Sequence, residues 1–346
     1  MPLRENVPLG PLTTLGVGGP ARYFVEATRE HEIRMAVHEA MSRNWRLFIL
    51  GGGSNLVISD SGWPGLVVKI AIRGIDSRRE DGKVIFEAGA GEEWDALVAA
   101  AVKQDCAGVE CLSGIPGTIG GTPVQNVGAY GQEVSETISE VQALDLRRGE
   151  VVSLCGEACG FSYRKSIFNT TEMGRYIILR VSYALRPGGE PRIEYADLKR
   201  FFSGKPSPSL QETREAVRQI RHTKAMLIVP GDEDSRSAGS FFKNPVVTRG
   251  EYEQLAEFAA SLNLVMPHFD TPAGVKIPAA WLVENSGMQK GTVRGHVAIS
   301  RRHALAIVNR GGATAAEVIA LRNEIQQRVL DSFGVQLTPE PVFVGF

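Results

Sequence analysis

Little in this sequence invites a metal, a nucleic acid or a membrane. Its four cysteines, Cys106, Cys111, Cys155 and Cys159, stand at spacings that fit no common zinc site, and reducing cytosol would keep them as packing thiols. The six histidines include no H-E-x-x-H and no pairing with those cysteines, so no metal is expected. Basic residues number 38 against 39 acidic ones, a net charge of -1, and no basic tract could track a phosphate backbone. Nucleic acid is therefore not an expected partner. No stretch has the length of a membrane span, and the opening MPLRENVPLGPL lacks the apolar core of a secretory signal, so a cytoplasmic protein without membrane partners is expected. G-x-x-x-x-G-K-[ST] is missing too, which excludes a P-loop.

Glycine is plentiful. The run SGIPGTIGGTPVQNVGAYG, Ser113 to Gly131, holds six glycines and two prolines but few side chains capable of chemistry. Glycine lets main-chain N–H groups turn toward a ligand and approach it closely, and successive N–H groups in turns form concavities that suit diphosphate oxygens. A plain connecting loop of this length is uncommon inside a compact domain. Ile115, Ile119, Val124 and Val127 argue against disorder. A second cluster, GGGSNL from Gly51 to Leu56, follows the apolar run Leu47 to Leu50, which reads as a buried strand. The residues after Gly53 are β-like and turn-like rather than helical, so the helix-opening G-x-G-x-x-G of a Rossmann fold is rejected. Two glycine loops holding a large diphosphate-bearing cofactor remain.

A length of 346 residues exceeds one ordinary core. The pattern alternates strands and helices, giving an α/β (α+β) protein. Strands are expected at Leu66 to Ile70, Val84 to Glu87 and Tyr176 to Leu185, with a hairpin of Val141 to Leu146 and Val151 to Leu154 around Arg148-Gly149. Helices are expected at Trp94 to Cys106, Thr213 to Lys224, Tyr252 to Leu262 and Ala279 to Glu284, and a strand at Ala304 to Val308. The clearest helix runs from Ala315 to Phe333. Thr314 and Glu317 make a capping-box pattern, Val318, Leu321, Ile325 and Val329 form one apolar face, and Gly334 sits at the C′ position. The main boundary is placed near Lys224, giving a 1–224 region with lobes of about 1–70 and 71–224, and a 225–346 region.

Seven motifs then carry a family resemblance across nearly the whole chain. They are TTLGVGGPA at Thr13 to Ala21, GGGSNL, SGIPGTIGG, QNVGAYG, FSYRKSIF at Phe161 to Phe168, SAGSFFKNP at Ser237 to Pro245, and LTPEP at Leu337 to Pro341. In that order they resemble the UDP-N-acetylenolpyruvoylglucosamine reductases, flavoproteins of bacterial peptidoglycan precursor synthesis. The resemblance implies a two-lobed FAD-binding fold of the vanillyl-alcohol oxidase (PCMH) type followed by an α+β substrate domain. It implies non-covalent FAD, NADPH as co-substrate, and UDP-N-acetylglucosamine enolpyruvate as the molecule reduced. A monomer meeting only small molecules is expected.

Residue by residue, the resemblance gives Gly51, Gly52, Gly53, Ser54, Asn55 and Leu56 to the cofactor. From the longer run it adds Ser113, Gly114, Ile115, Pro116, Gly117 and Thr118, then Gly120 and Gly121, with Gln125, Asn126, Gly128 and Ala129 on the flavin-ring side. Ser240 matches the proton donor. A serine hydroxyl is a weak acid, yet an enolate carbon is a strong base, so the transfer works if the oxygen is held at the correct carbon. By base rate such a serine is a cap or turn residue. Arg164 offers a permanent charge and a planar fork for the substrate carboxylate, where a lone arginine is more often solvated. Glu340 is the third member, and beside a substrate carboxylate it is expected to be protonated or to share a proton. Its bland alternative is a surface residue between prolines.

Tyr195 matches a tyrosine that closes over the UDP diphosphate in one class of these reductases. Tyr130, Tyr163, Lys224, Asn244 and His303 match further substrate contacts. Two departures stand out: Val342 replaces an arginine some members carry two residues after the catalytic Glu, and His303 lies where a glutamine is found. Two rival readings are another FAD oxidoreductase of the same fold and a redox-silent nucleotide-binding module. The first often tethers its flavin through His or Cys, and neither glycine loop contains one. The second would be expected to have lost Arg164, Ser240 or Glu340, and all are present.

Overall fold

The computed structural model describes residues 2–346 and divides into two compact units. The first comprises the chain up to Val7, Ala21–Gly53 and Pro64–Leu227, and the second Pro8–Pro20, Ser54–Trp63 and Ile228–Phe346.

In the first unit a four-stranded sheet runs in the order Arg4–Pro8, Pro20–Ala27, Trp63–Ile70, Leu47–Leu50, the last two strands being parallel. Helix α1 (Glu30–Ser42) buries Ile33, Ala36, Val37 and Ala40, spacings that put all four on one face. A second, antiparallel sheet is ordered Glu150–Cys155, Ile138–Asp145, Tyr176–Pro187, Lys83–Gly89, Ile75–Glu80, and Cys106–Ala107 pairs with the far end of the long strand. Helix α2 (Trp94–Lys103) buries Trp94, Leu97, Val98, Ala101 and Val102 in the same core, and the Trp94 indole donates to Leu112 O at 2.9 Å. It stops three residues short of the expected Cys106, because Asp105, in the left-handed region at φ 54°, turns the chain into the Cys106–Ala107 strand.

Helices α3 (Ala196–Phe201) and α4 (Leu210–Thr223) complete the unit. The latter starts one turn earlier than expected because Ser209 and Glu212 form a reciprocal capping box. Three cysteines are buried as expected of packing residues, but Cys155 is exposed, since it ends the edge strand Glu150–Cys155.

The second unit packs α5 (Arg249–Ser261), α6 (Ala279–Asn285) and α7 (Ala315–Phe333) with two three-stranded sheets, one ordered Val246–Val247, Gly274–Lys276, Phe269–Thr271 and the other Val293–Arg294, Val297–Ile299, Ile307–Asn309. Helix α7 has the expected bounds, its Thr314–Glu317 box and a left-handed Gly334 at φ 67°. The expected Ala304 strand begins only at Ile307, because His303 accepts the Leu305 N–H on Nδ1 and the Ala306 N–H on its carbonyl, closing a turn.

A division by chain order alone, at 224/225, places residues 8–20 and 54–63 in the first part; the structure gives them to the second. Leu15, Val17 and Val57 sit in the second unit's core, Leu56–Ile58 pairs in parallel with Val342–Val344, and both Asp60 carboxylate oxygens accept N–H groups from the first turn of α7. Such long-range pairings leave no local trace in sequence.

Candidate functional site

In the first unit the two glycine clusters meet backbone to backbone. A Cβ on Gly52 would lie 2.7 Å from Gly117 Cα and 2.9 Å from Thr118 N, closer than any side chain permits. Gly53, Gly114 and Gly117 have φ of 65°, 71° and 124°, open to glycine and costly for other residues. The longer loop is fastened along its length. Gly117 O accepts from Trp94 N, Ile119 N donates to Glu92 O, Gly120 N donates to Ala90 O, and Ser113 Oγ donates to Glu110 O at 2.6 Å. Ile115 and Pro116 are half-buried, and a Cβ on Gly121 would meet nothing within 4 Å. Thr118 Oγ1 is buried yet makes no hydrogen bond among the described residues. A tight glycine cradle with an unanswered buried hydroxyl is what a polar ligand needs, and FAD fits it.

The GGGSNL run divides after Gly53. Ser54, Asn55 and Leu56 belong to the second unit, where Asn55 accepts the Val342 N–H at 2.9 Å and its side-chain amide donates to Glu340 O at 3.3 Å. Asn55 thus braces the segment carrying Glu340, a role its motif gave no sign of.

Arg164 is built into the QNVGAYG turn. Its guanidinium donates to Gly128 O at 2.7 Å and Asn126 O at 3.4 Å and lies 5.4 Å from the Tyr163 ring centroid. Asn126, Tyr130 and Arg164 all have left-handed backbones, at φ 45°, 49° and 57°, and such strain is commonly stored at functional sites. Asn126 holds its turn through its side chain, donating to Glu133 and Ser162 O and accepting from Ser135 N. Ala129 pairs with Gln132 in the short hairpin that follows, and Gln125 is half-buried.

Tyr130 and Tyr195 sit edge to face with ring centroids 5.3 Å apart, the first buried and the second exposed at the start of α3. Burial pushes the Tyr130 phenol up to about 12, and its side chain hydrogen-bonds to Arg221. Arg221 is 8% exposed and donates to Gly114 O at 3.2 Å and Met226 O at 2.5 Å. Burial lowers its proton affinity. In the sequence this arginine stands in the basic end of the expected Thr213 to Lys224 helix, beside His222 and Lys224, where it complements the helix dipole. The signal of its burial was its place four residues after Val217 on the buried face of α4.

On that helix Arg214 makes a two-pronged contact with Asp95 at 2.7 and 2.8 Å, and Arg218 adds a third bond at 2.6 Å. Burial opposes ionisation of Asp95, but the Arg214 hydrogen bond, the Gly114 N–H at 2.6 Å and the two guanidinium charges outweigh it and hold the carboxyl below its ordinary value. Lys224, just past α4, pairs with Asp197 at 2.5 Å.

In the second unit Ser240 and Glu340 lie on adjoining segments. Phe241 O accepts the Glu340 N–H at 2.9 Å, Lys243 N donates to Thr338 O at 2.9 Å, and Phe242 bridges Pro339 antiparallel. Ser240 is half-buried, and its hydroxyl makes no hydrogen bond to another of the described residues. Asn244 accepts the Ala279 N–H at the start of α6, so its side chain is fixed by capping. His303 shapes the turn before Ile307. Among the described residues no group of His, Cys, Asp and Glu could hold a metal ion, and no helix is long and apolar enough to cross a membrane.

Residues 21–154 match a family model described as an FAD binding domain, which makes the protein flavin-dependent and agrees with the cradle built by the two glycine clusters. Residues 231–344 match the model of the UDP-N-acetylenolpyruvoylglucosamine reductase C-terminal domain. Proteins of that name from Streptomyces coelicolor and Thermobifida fusca are 45% and 41% identical, each aligning over 99% of this chain and over 91% and 98% of their own. The crystal structure of the Thermus caldophilus reductase superposes with a TM-score of 0.67 at 26% identity, covering 99% of both chains. The chain belongs to the UDP-N-acetylenolpyruvoylglucosamine reductase family.

Proposed function

We propose that Arg164, Ser240 and Glu340 are the protein side chains that carry the NADPH-dependent reduction of UDP-N-acetylglucosamine enolpyruvate to UDP-N-acetylmuramate, the activity this family membership assigns. Bound FAD supplies the hydride chemistry. Gly52, Gly117 and Thr118 would hold it in the first unit. Hydride arriving at the methylene carbon of the enolpyruvyl group leaves negative charge on the neighbouring carbon and its carboxylate. Arg164, fixed by Gly128 O and Asn126 O, meets that carboxylate with a charge already in place. Ser240 then gives its hydroxyl proton to the carbon and recovers one from solvent. Glu340 hydrogen-bonds the same carboxylate as a donor. Tyr195 and Lys224 meet the diphosphate, and the chain works as a cytoplasmic monomer.

The observation carrying this reading is the pairing that sets Glu340 beside the Ser240–Phe241 segment, which joins an acid to a hydroxyl with no hydrogen-bond partner among the described residues. The purified protein should be yellow and should release FAD to the supernatant on acid precipitation. NADPH should bleach the yellow colour and the enolpyruvyl nucleotide should restore it. Arg164→Ala should bleach at near the normal rate and recover at least ~10²-fold more slowly, the loss expected for one preorganised charge. Equal slowing of both steps would make Arg164 structural.

A further inference from the structure

The contact between Lys224 and Asp197 has a consequence for substrate binding. Lys224 is the residue assigned to the diphosphate, an assignment on which this inference rests, and its ammonium already has an anion. Asp197 Oδ2 lies 2.5 Å from Lys224 Nζ, a charge-assisted bond. Both ends are anchored. Lys224 closes α4, its N–H donating to Ile220 O, and Asp197 stands in the first turn of α3, where a carboxylate suits the helix dipole.

The segment leading into α3 is itself pinned. Arg192 N donates to the fully buried Glu110, its carbonyl accepts from the Cys111 thiol, and its guanidinium reaches Gly131 O and Glu136. Leu198, one residue after Asp197, is buried with Cys111, Tyr130 and Val217. Asp197 is therefore held over Lys224 by the packing around it. Arg200 approaches it only at 3.8 Å from an exposed position, so Lys224 is its principal partner.

We infer that Asp197 is an internal competitor of the substrate diphosphate, occupying Lys224 in the free protein and tuning nucleotide affinity downward. A diphosphate must take the ammonium from a carboxylate as well as from water. Both partners are partly exposed, with side chains 36% and 21% accessible, so the competition is modest. Removing the Asp197 charge should tighten binding by about two- to fivefold, the range of an exposed ion pair.

The test is calorimetric titration of the FAD-loaded protein with UDP, in wild type, Asp197→Asn, Lys224→Ala and the double variant. Asp197→Asn should bind UDP more tightly and Lys224→Ala more weakly. The double variant should match Lys224→Ala, because the competitor acts only through the lysine. If Lys224→Ala binds like wild type, the assignment of Lys224 fails. If Lys224→Ala weakens binding but Asp197→Asn leaves it unchanged or weaker, Asp197 positions the lysine and the competition is overturned. Tightening that persists in the double variant would show direct repulsion of the diphosphate and would also overturn it.

Discussion

Two of the residues proposed for the site are held in ways that cost the free protein. Thr118 Oγ1 is buried without a partner among the described residues, and Arg164 has a left-handed backbone. A buried hydroxyl answered only by a ligand costs the free protein and contributes to binding, a net of about 1 kcal/mol. Thr118→Val, which keeps the shape and deletes the hydroxyl, should therefore raise the FAD dissociation constant about three- to tenfold, read from flavin fluorescence on dilution. Unchanged retention would place Thr118 outside the cofactor site. At Glu340 the role of hydrogen-bond donor predicts that Glu340→Gln keeps far more of the second half-reaction than Glu340→Asp. The reverse order in rapid mixing would show that the carboxylate works ionised. The positions of these residues were legible from their motifs. Arg221 and Asp95 were not, because their importance lies in burial and in contacts across more than a hundred residues of chain.

Among the elements, α7 was legible to the residue because everything defining it is local: cap, apolar stripe and terminal glycine. Its N-terminus also carries a pH-dependent contribution. Glu317 accepts the Thr314 N–H, then those of His296, and these bonds hold its carboxyl at about 2. A lowered carboxyl stabilises the fold fully above its unfolded value, near 4.5, and the contribution is lost as pH falls toward 2. Urea midpoints measured from pH 6 to about 2.5 should fall more steeply for wild type than for Glu317→Gln below about pH 4.5. Parallel curves would remove Glu317 from the acid response. Thr314→Ala should cost about 1 kcal/mol at neutral pH by loss of the same cap. Elements fixed by distant pairing were harder to see. The short strand Leu56–Ile58 exists because Val342–Val344 lies beside it, nearly the whole chain away.

At the scale of the molecule, the residues proposed for the reduction are divided between the units: the first carries the glycine cradle and Arg164, the second Ser240 and Glu340. The early excursions 8–20 and 54–63 give the second unit part of its core and the Asn55 brace under Glu340. Length indicated more than one domain, and only the folded chain shows which segments each compact unit contains. The central claim is that Ser240 supplies the proton after the hydride has moved. Stopped-flow absorbance of Ser240→Ala tests it most directly, with NADPH mixed first and UDP-N-acetylglucosamine enolpyruvate second. The account predicts bleaching at near the wild-type rate and recovery slower by at least ~10²-fold, the low end for a positioned acid. Recovery at the wild-type rate, or equal slowing of both phases, would contradict it.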